Sequence, residues 1–135
     1  MKVVVETPKY SFVKYKTVGG RIVKDFTSPL PNLFTYGYVE NTMAQDGAEE
    51  DAVILDGSYK SGDVVGVKQV GVVEVVDDGV KDDKKITSTT GKITGWDRIK
   101  LELFFMVYIP YKRIRYLVKG ARVADCRYLG FKLKS

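Results

Sequence analysis

Asp63-Val64-Val65-Gly66-Val67-Lys68-Gln69-Val70-Gly71-Val72-Val73-Glu74-Val75-Val76 is the stretch on which the fold turns. Valine is stiff at χ1 and suits a pleated, half-buried surface, so the run predicts a long β-strand. Gly66 and Gly71 interrupt it. Glycines inside such a run mark bulges or bends of the kind that a closing barrel requires. Working outward, Asp51–Leu55 is a short apolar strand, and Gly57–Gly62 is the turn that joins it to the long run. On the other side, Lys85–Thr89 reads as the next strand.

Earlier in the chain, Lys2–Thr7 reads as a strand ended by Pro8. Phe12–Thr17 and Arg21–Phe26 alternate apolar and polar residues around Gly19-Gly20, a two-glycine hairpin turn. No helix follows these glycines, so they are not a phosphate loop. Pro29, Pro31 and Asn32 mark an irregular connection before the aromatic, extended Phe34–Val39. Trp96–Ile109 is the helix candidate, with Thr94 as its cap and Asp97 near its N-terminus. Trp96, Ile99, Leu103 and Met106 share one face, read as core packing. Leu101–Ile109 is rich in aromatic and β-branched residues, which leaves a strand open there. Pro110 is expected to end either element, and the remainder alternates strand-like and basic residues up to Leu129-Gly130-Phe131. The expectation is a mainly β protein, a five-stranded OB-like closed barrel with one helix, or two, packed outside.

With 135 residues the chain is read as a single domain, 1–135, large enough to bury a core. The lone Cys126 excludes an internal disulfide framework and suits a reducing, cytoplasmic setting. No segment approaches the ~20 apolar residues of a membrane span. There is no histidine. That removes Ser-His-Asp and Cys-His nucleophile systems and the usual zinc sites. Chemistry must therefore run on carboxylates, lysines, arginines, tyrosines and bound metal.

The net charge of +5 hides a division. Residues 40–83 carry a local balance of −9, and residues 112–135 one of +7. The acids gather in two turns, Asp46-Gly47-Ala48-Glu49-Glu50-Asp51 and Asp77…Asp82-Asp83-Lys84. Carboxylates crowded between rigid strands repel one another unless a cation lies between them, and hard divalent ions bound by oxygen fit that need.

The order of these pieces resembles the soluble family I inorganic pyrophosphatases. The resemblance is carried by Val5-Glu6-Thr7-Pro8, Lys14-Tyr15, Tyr36-Gly37-Tyr38, Asp46-Gly47…Asp51, Val70-Gly71-Val72, Asp77…Asp82-Asp83-Lys84 and Tyr111-Lys112. It implies a Mg2+-dependent hydrolysis of pyrophosphate to two phosphates by a metal-activated water. In this resemblance Asp46 and Asp51 fall on metal ligands that activate the water, and Asp77 and Asp82 on ligands of further magnesium. Glu6 falls on an active-site carboxylate counted with the metal set. Lys14, Tyr36, Lys84, Tyr111 and Lys112 fall on phosphate-contacting or site-lining positions. A homo-oligomer, commonly a hexamer, is also implied.

Four positions depart from the pattern. Ala48 stands where the family has the aspartate that contacts the nucleophilic water, and Glu49 or Glu50 is the candidate to reach the same space. Lys16 replaces a glutamate and Asn32 a tyrosine; the arginine position falls on Asp25, with Lys24 beside it, where a one-residue slip restores a positive charge. These departures support an alternative, a pyrophosphatase-fold protein that binds phosphate or nucleotide without hydrolysis. A third reading, a barrel for single-stranded nucleic acid, draws on the basic tail with Tyr116, Tyr128 and Phe131. The acidic centre weighs against it.

Overall fold

The computed structural model describes residues 1–28, 31–42, 49–77, 80–118 and 127–133, with the backbone alone at 77, 80–81, 108, 111–118 and 127–128. In chain order the elements are β1 (Lys2–Thr7), β2 (Val13–Val18), β3 (Arg21–Thr27), β4 (Thr35–Val39), β5 (Asp51–Ile54), β6 (Val64–Gly66), β7 (Lys68–Asp77), β8 (Val80–Lys81), β9 (Lys84–Ser88), α1 (Gly95–Val118) and β10 (Arg127–Leu133).

Eight strands form one sheet on the path β10-β7-β9-β5-β4-β1-β6, with β8 paired only to β7. β2 and β3 form a separate hairpin sheet. The fold is thus mainly β with one helix, and the large sheet curls into an open half-barrel. The closed five-stranded barrel expected from the sequence is not confirmed: the strand order runs from β10 at one edge to β6 at the other. The Asp63–Val76 run contributes to both ends of that order. It splits at Val67, and its first part pairs antiparallel with β1 while its second part pairs with β9 and β10. Gly71 does mark a bulge, since the β7–β9 register shifts between Gln69 and Gly71.

The sheet is packed on both faces. Val53 and Leu55 join Phe34, Val73, Val75 and Ile86 in one core cluster, into which α1 inserts Leu101, Phe105 and Ile109. Ala52 and Ile54, alternating with them along β5, join Val3, Val5, Val39 and Val67 in a second cluster. The period of two places the site as well. In β4, Thr35, Gly37 and Val39 are buried while Tyr36 and Tyr38 face the partly open side. Gly37 permits the close approach of β1: a Cβ there would meet the Val4 carbonyl oxygen at 2.0 Å.

The helix keeps its expected cap and differs from expectation in its end and in its core-facing stripe. Thr94 Oγ1 accepts from the Asp97 amide at 3.0 Å and Asp97 Oδ2 accepts from the Thr94 amide at 3.2 Å, a reciprocal cap that fixes the helical start and excludes a strand. Pro110 does not end it; the helix runs on to Val118. One proline removes one backbone bond, and Leu101, Phe105 and Ile109 hold the preceding turns against the sheet. The core-facing stripe is Leu101–Phe105–Ile109. The other stripe lies in solvent: Trp96, Ile99, Leu103 and Met106 are 66%, 49%, 54% and 63% exposed.

Candidate functional site

The parallel pairing of β5 with β9 sets Ala52 beside Lys85 and Val53 beside Ile86. One step back, Asp51 comes level with Lys84. The Lys84 ammonium lies 2.5 Å from Asp51 Oδ2 and 2.5 Å from Asp82 Oδ2. Asp82 reaches it from two positions earlier on the same side, its amide tied to the Val75 carbonyl at 2.8 Å. Lys84 is buried, 2% exposed, while both carboxylates keep partial access to solvent. The ring of Tyr36 closes one side, its centroid 5.8 Å from the ammonium, within cation–π reach.

Glu6, at the end of β1, lies in the field of this cluster. Burial raises its carboxyl pKa, and the negative charges of Asp51 and Glu49 push the same way. The Thr17 hydroxyl opposes them by donating to Glu6 Oε2 at 2.8 Å. Burial likewise raises the Tyr38 phenol, helped by Glu49 and Glu6. Glu50 turns away into an ion pair with Lys85. Of the two glutamates that follow Ala48, Glu49 is therefore the one whose charge acts on this side.

Lys14 stands apart from that cluster. It projects from the hairpin into a cavity of about 360 Å³ bounded also by Tyr15, Phe26, Asn32, Tyr36 and Phe104. Its ammonium donates to Asn32 Oδ1, and burial lowers its pKa to about 8. Lys16 and Asp25, on the same hairpin, face each other at 3.6 Å near the surface.

The structure thus brings Asp51, Asp82, Lys84 and Tyr36 together, with Glu6 and Glu49 in electrostatic range. Lys14 meets them only through Tyr36, which lines both places. Asp46 and Ala48 lie outside the described residues, as do the side chains of Asp77, Tyr111 and Lys112. Among the described residues no three carboxylates converge closely enough to hold an ion by themselves. Sequence reasoning missed Thr17 and Lys85. Neither carries a motif; only their place opposite Glu6 and Glu50 gives them a part.

Residues 3–103 match the family model described as inorganic pyrophosphatase. The chain belongs to the inorganic pyrophosphatase family. An inorganic pyrophosphatase of Helicobacter pylori is 35% identical over 96 residues, 67% of this chain and 56% of the relative. One of Streptomyces coelicolor is 34% identical over 123 residues, covering 78% and 75% of the two. The chain thus spans little more than half the length of some of the pyrophosphatases it matches. In three dimensions it superposes on the H. pylori pyrophosphatase with a TM-score of 0.81 at 25% identity, over 99% of this chain and 84% of the other. The Thermus thermophilus pyrophosphatase gives 0.83 at 21% identity, over 98% and 82%, a likeness of fold.

Proposed function

We propose that the chain hydrolyses inorganic pyrophosphate to two phosphates with magnesium. The observation that carries this reading is the Lys84 ammonium held at 2.5 Å by both Asp51 and Asp82, in a chain of this family. A cation already lies between two hard oxygen donors there, and surplus negative charge extends to Glu6. Carboxylate oxygens are the donors magnesium takes, though the described ones make a site only together with ligands from Asp46 and Asp77. Asp51, Asp82 and Glu6 would hold it, with Asp46 and Asp77 supplying the ligands expected from the resemblance. Bound there, magnesium would acidify the attacking water and offset the charge on the phosphate oxygens.

The chain's own side chains do the remaining work. Lys84 and Lys14 would present ammonium groups to the two phosphates, with Tyr36 near both. Glu49, whose charge acts on both Glu6 and Tyr38, stands in for the aspartate that Ala48 replaces. Tyr111 and Lys112 would grip the departing phosphate. The stripe Trp96, Ile99, Leu103 and Met106 supports a homo-oligomer, a hexamer by resemblance, because an apolar helix face of this kind is a common docking surface. The lone cysteine supports a cytoplasmic setting. Among the described residues no helix is long and apolar enough to cross a membrane.

A second reading, binding without hydrolysis, is favoured by Asp25. It brings a negative charge, paired to Lys16, to the hairpin where the resemblance expects an arginine. Phosphate release from pyrophosphate with and without magnesium, beside an Ala48→Asp variant, separates the two. Turnover by the native chain supports hydrolysis. A silent native chain that the substitution revives would establish loss at that one position. Absence of turnover in both, with pyrophosphate still bound, would favour the binding reading.

A further inference from the structure

The cavity around Lys14 is more apolar than pyrophosphate alone requires. Its volume of about 360 Å³ lies within the range of small-molecule sites, roughly 300–1,000 Å³. Inorganic pyrophosphate is small, ionic and strongly hydrated, and gains nothing from a wall of rings. Here Tyr15, Phe26, Tyr36 and Phe104 form such a wall, and the exposed Leu103 and Val107 of α1 contribute its solvent side. Besides the two tyrosine hydroxyls, the polar side chains of the lining are Thr7, Lys14, Asp25, Ser28 and Asn32. Tyr36 joins this cavity to the Lys84–Asp51–Asp82 cluster, so a ligand with an anionic end and an aromatic end spans both across the width of one ring.

We propose that the chain takes a nucleoside diphosphate, with the base in this cavity and the P–O–P bridge between Lys14 and Lys84. The proposal rests on the hydrolytic reading and names a substrate class for the same site. The base stacks against aromatic faces, an arrangement worth about 1–3 kcal/mol per base in nucleic-acid binding proteins. Asp25 accepts hydrogen bonds from ribose hydroxyls or an exocyclic amine, a part that a phosphate-binding cation could not play. Asn32 offers its amide to the base edge. Two of the four positions that depart from the pyrophosphatase pattern, Asp25 and Asn32, thus line one cavity and suit one ligand. In the reaction water attacks the terminal phosphorus and the bridging P–O bond breaks. The products are a nucleoside monophosphate, inorganic phosphate and one proton, with no change of oxidation state.

The test compares ADP with pyrophosphate, each with magnesium, by phosphate release and by titration calorimetry. It uses the native chain, Val107→Trp, which fills the cavity from its exposed side, and Phe26→Ala, which removes one ring. Light scattering checks that Val107→Trp keeps the native mass; if it does not, Phe26→Ala decides. Expected are ADP turnover by the native chain and a drop of at least tenfold in kcat/KM for ADP in the variants, with pyrophosphate turnover within twofold. Pyrophosphate turnover without ADP turnover or binding overturns the proposal and leaves the hydrolytic reading standing. Variants that lower both substrates equally, or neither, overturn it too. Binding of ADP that the variants abolish, without turnover of either compound, upholds the cavity and sinks the hydrolytic reading. If neither compound is bound or turned over, both fail.

Discussion

The floor of the site and its rim are built differently. The floor, β4-β5-β9, is paired on both sides and sets Asp51 level with Lys84 by register, while Asp82 is tied by its amide to the Val75 carbonyl. The rim, the β2–β3 hairpin, is a separate two-stranded sheet with exposed lysines and a half-buried Lys14. On the floor the residues that carry the family resemblance are intact where they are described. On the rim and its following loop lie Lys16, Asp25 and Asn32, three of the four departures. Side chains locked in a core constrain one another, while Lys16 and Asp25 on the two-stranded ribbon lie near the surface, where a change is felt mainly by solvent.

The comparison breaks first at Lys84. Lys84→Met leaves Asp51 and Asp82 without that counter-charge, and removing one partner of a buried ion pair costs about 3–5 kcal/mol. Urea unfolding should show this loss, and magnesium should recover more stability in the variant than in the native chain. An unchanged midpoint would mean that the floor is not held by charge. Next comes Gly37→Ala, which drives a methyl into the Val4 carbonyl and should cost on the order of 3 kcal/mol, since overpacking is accommodated only by backbone shift. Thermal unfolding checks it, and a shift as small as that of a surface substitution would show β1 free to move.

On the rim, Lys14 gives a pH signature. Its pKa of about 8 lies below the ordinary 10.5, so the unfolded chain binds the proton more tightly between those values. Stability contributed by this group therefore rises with pH from about 8 to 10.5, while the cation available to phosphate is lost through the same window. KM for pyrophosphate should rise about tenfold per pH unit above 8, and Lys14→Arg, which stays charged, should flatten that rise. A flat native profile would detach Lys14 from substrate. The smallest effect belongs to Lys16→Ala. Its exposed pair with Asp25 should be worth no more than about 1 kcal/mol, read as a change in urea midpoint.

Local signals explain which parts were readable in advance. Valine-rich runs marked β1, β5 and the long stretch of β6 and β7, and Gly19-Gly20 marked the hairpin, with positive φ of 57° and 77°. The split at Val67 was not readable, because it is decided by distant partners, β1 on one side and β9 and β10 on the other. Trp96, Ile99, Leu103 and Met106 misled for a similar reason. The helix has two apolar stripes, and only packing decides which meets the sheet. In the site, the order of acidic turns and Lys84 pointed to the cluster, but the bonds from Thr17 to Glu6 and Lys85 to Glu50 carry no sequence mark. The cavity had none either. Its walls come from β1, the hairpin, the loop before β4, β4 itself and α1, and no single segment announces it.

The parallel pairing of β5 with β9 has a kinetic consequence. It is the one parallel pair among the described strands, and it joins Asp51 to a lysine 33 positions away. Parallel neighbours need a crossover, and closing it loses chain entropy before any contact returns energy. β6 and β7 lie within that crossover and must find β1 and β9 for it to close. Such non-local pairings are slow steps of folding. Asp51 and Lys84 should therefore meet late, and a chain that has formed only its hairpins would hold neither ion nor substrate.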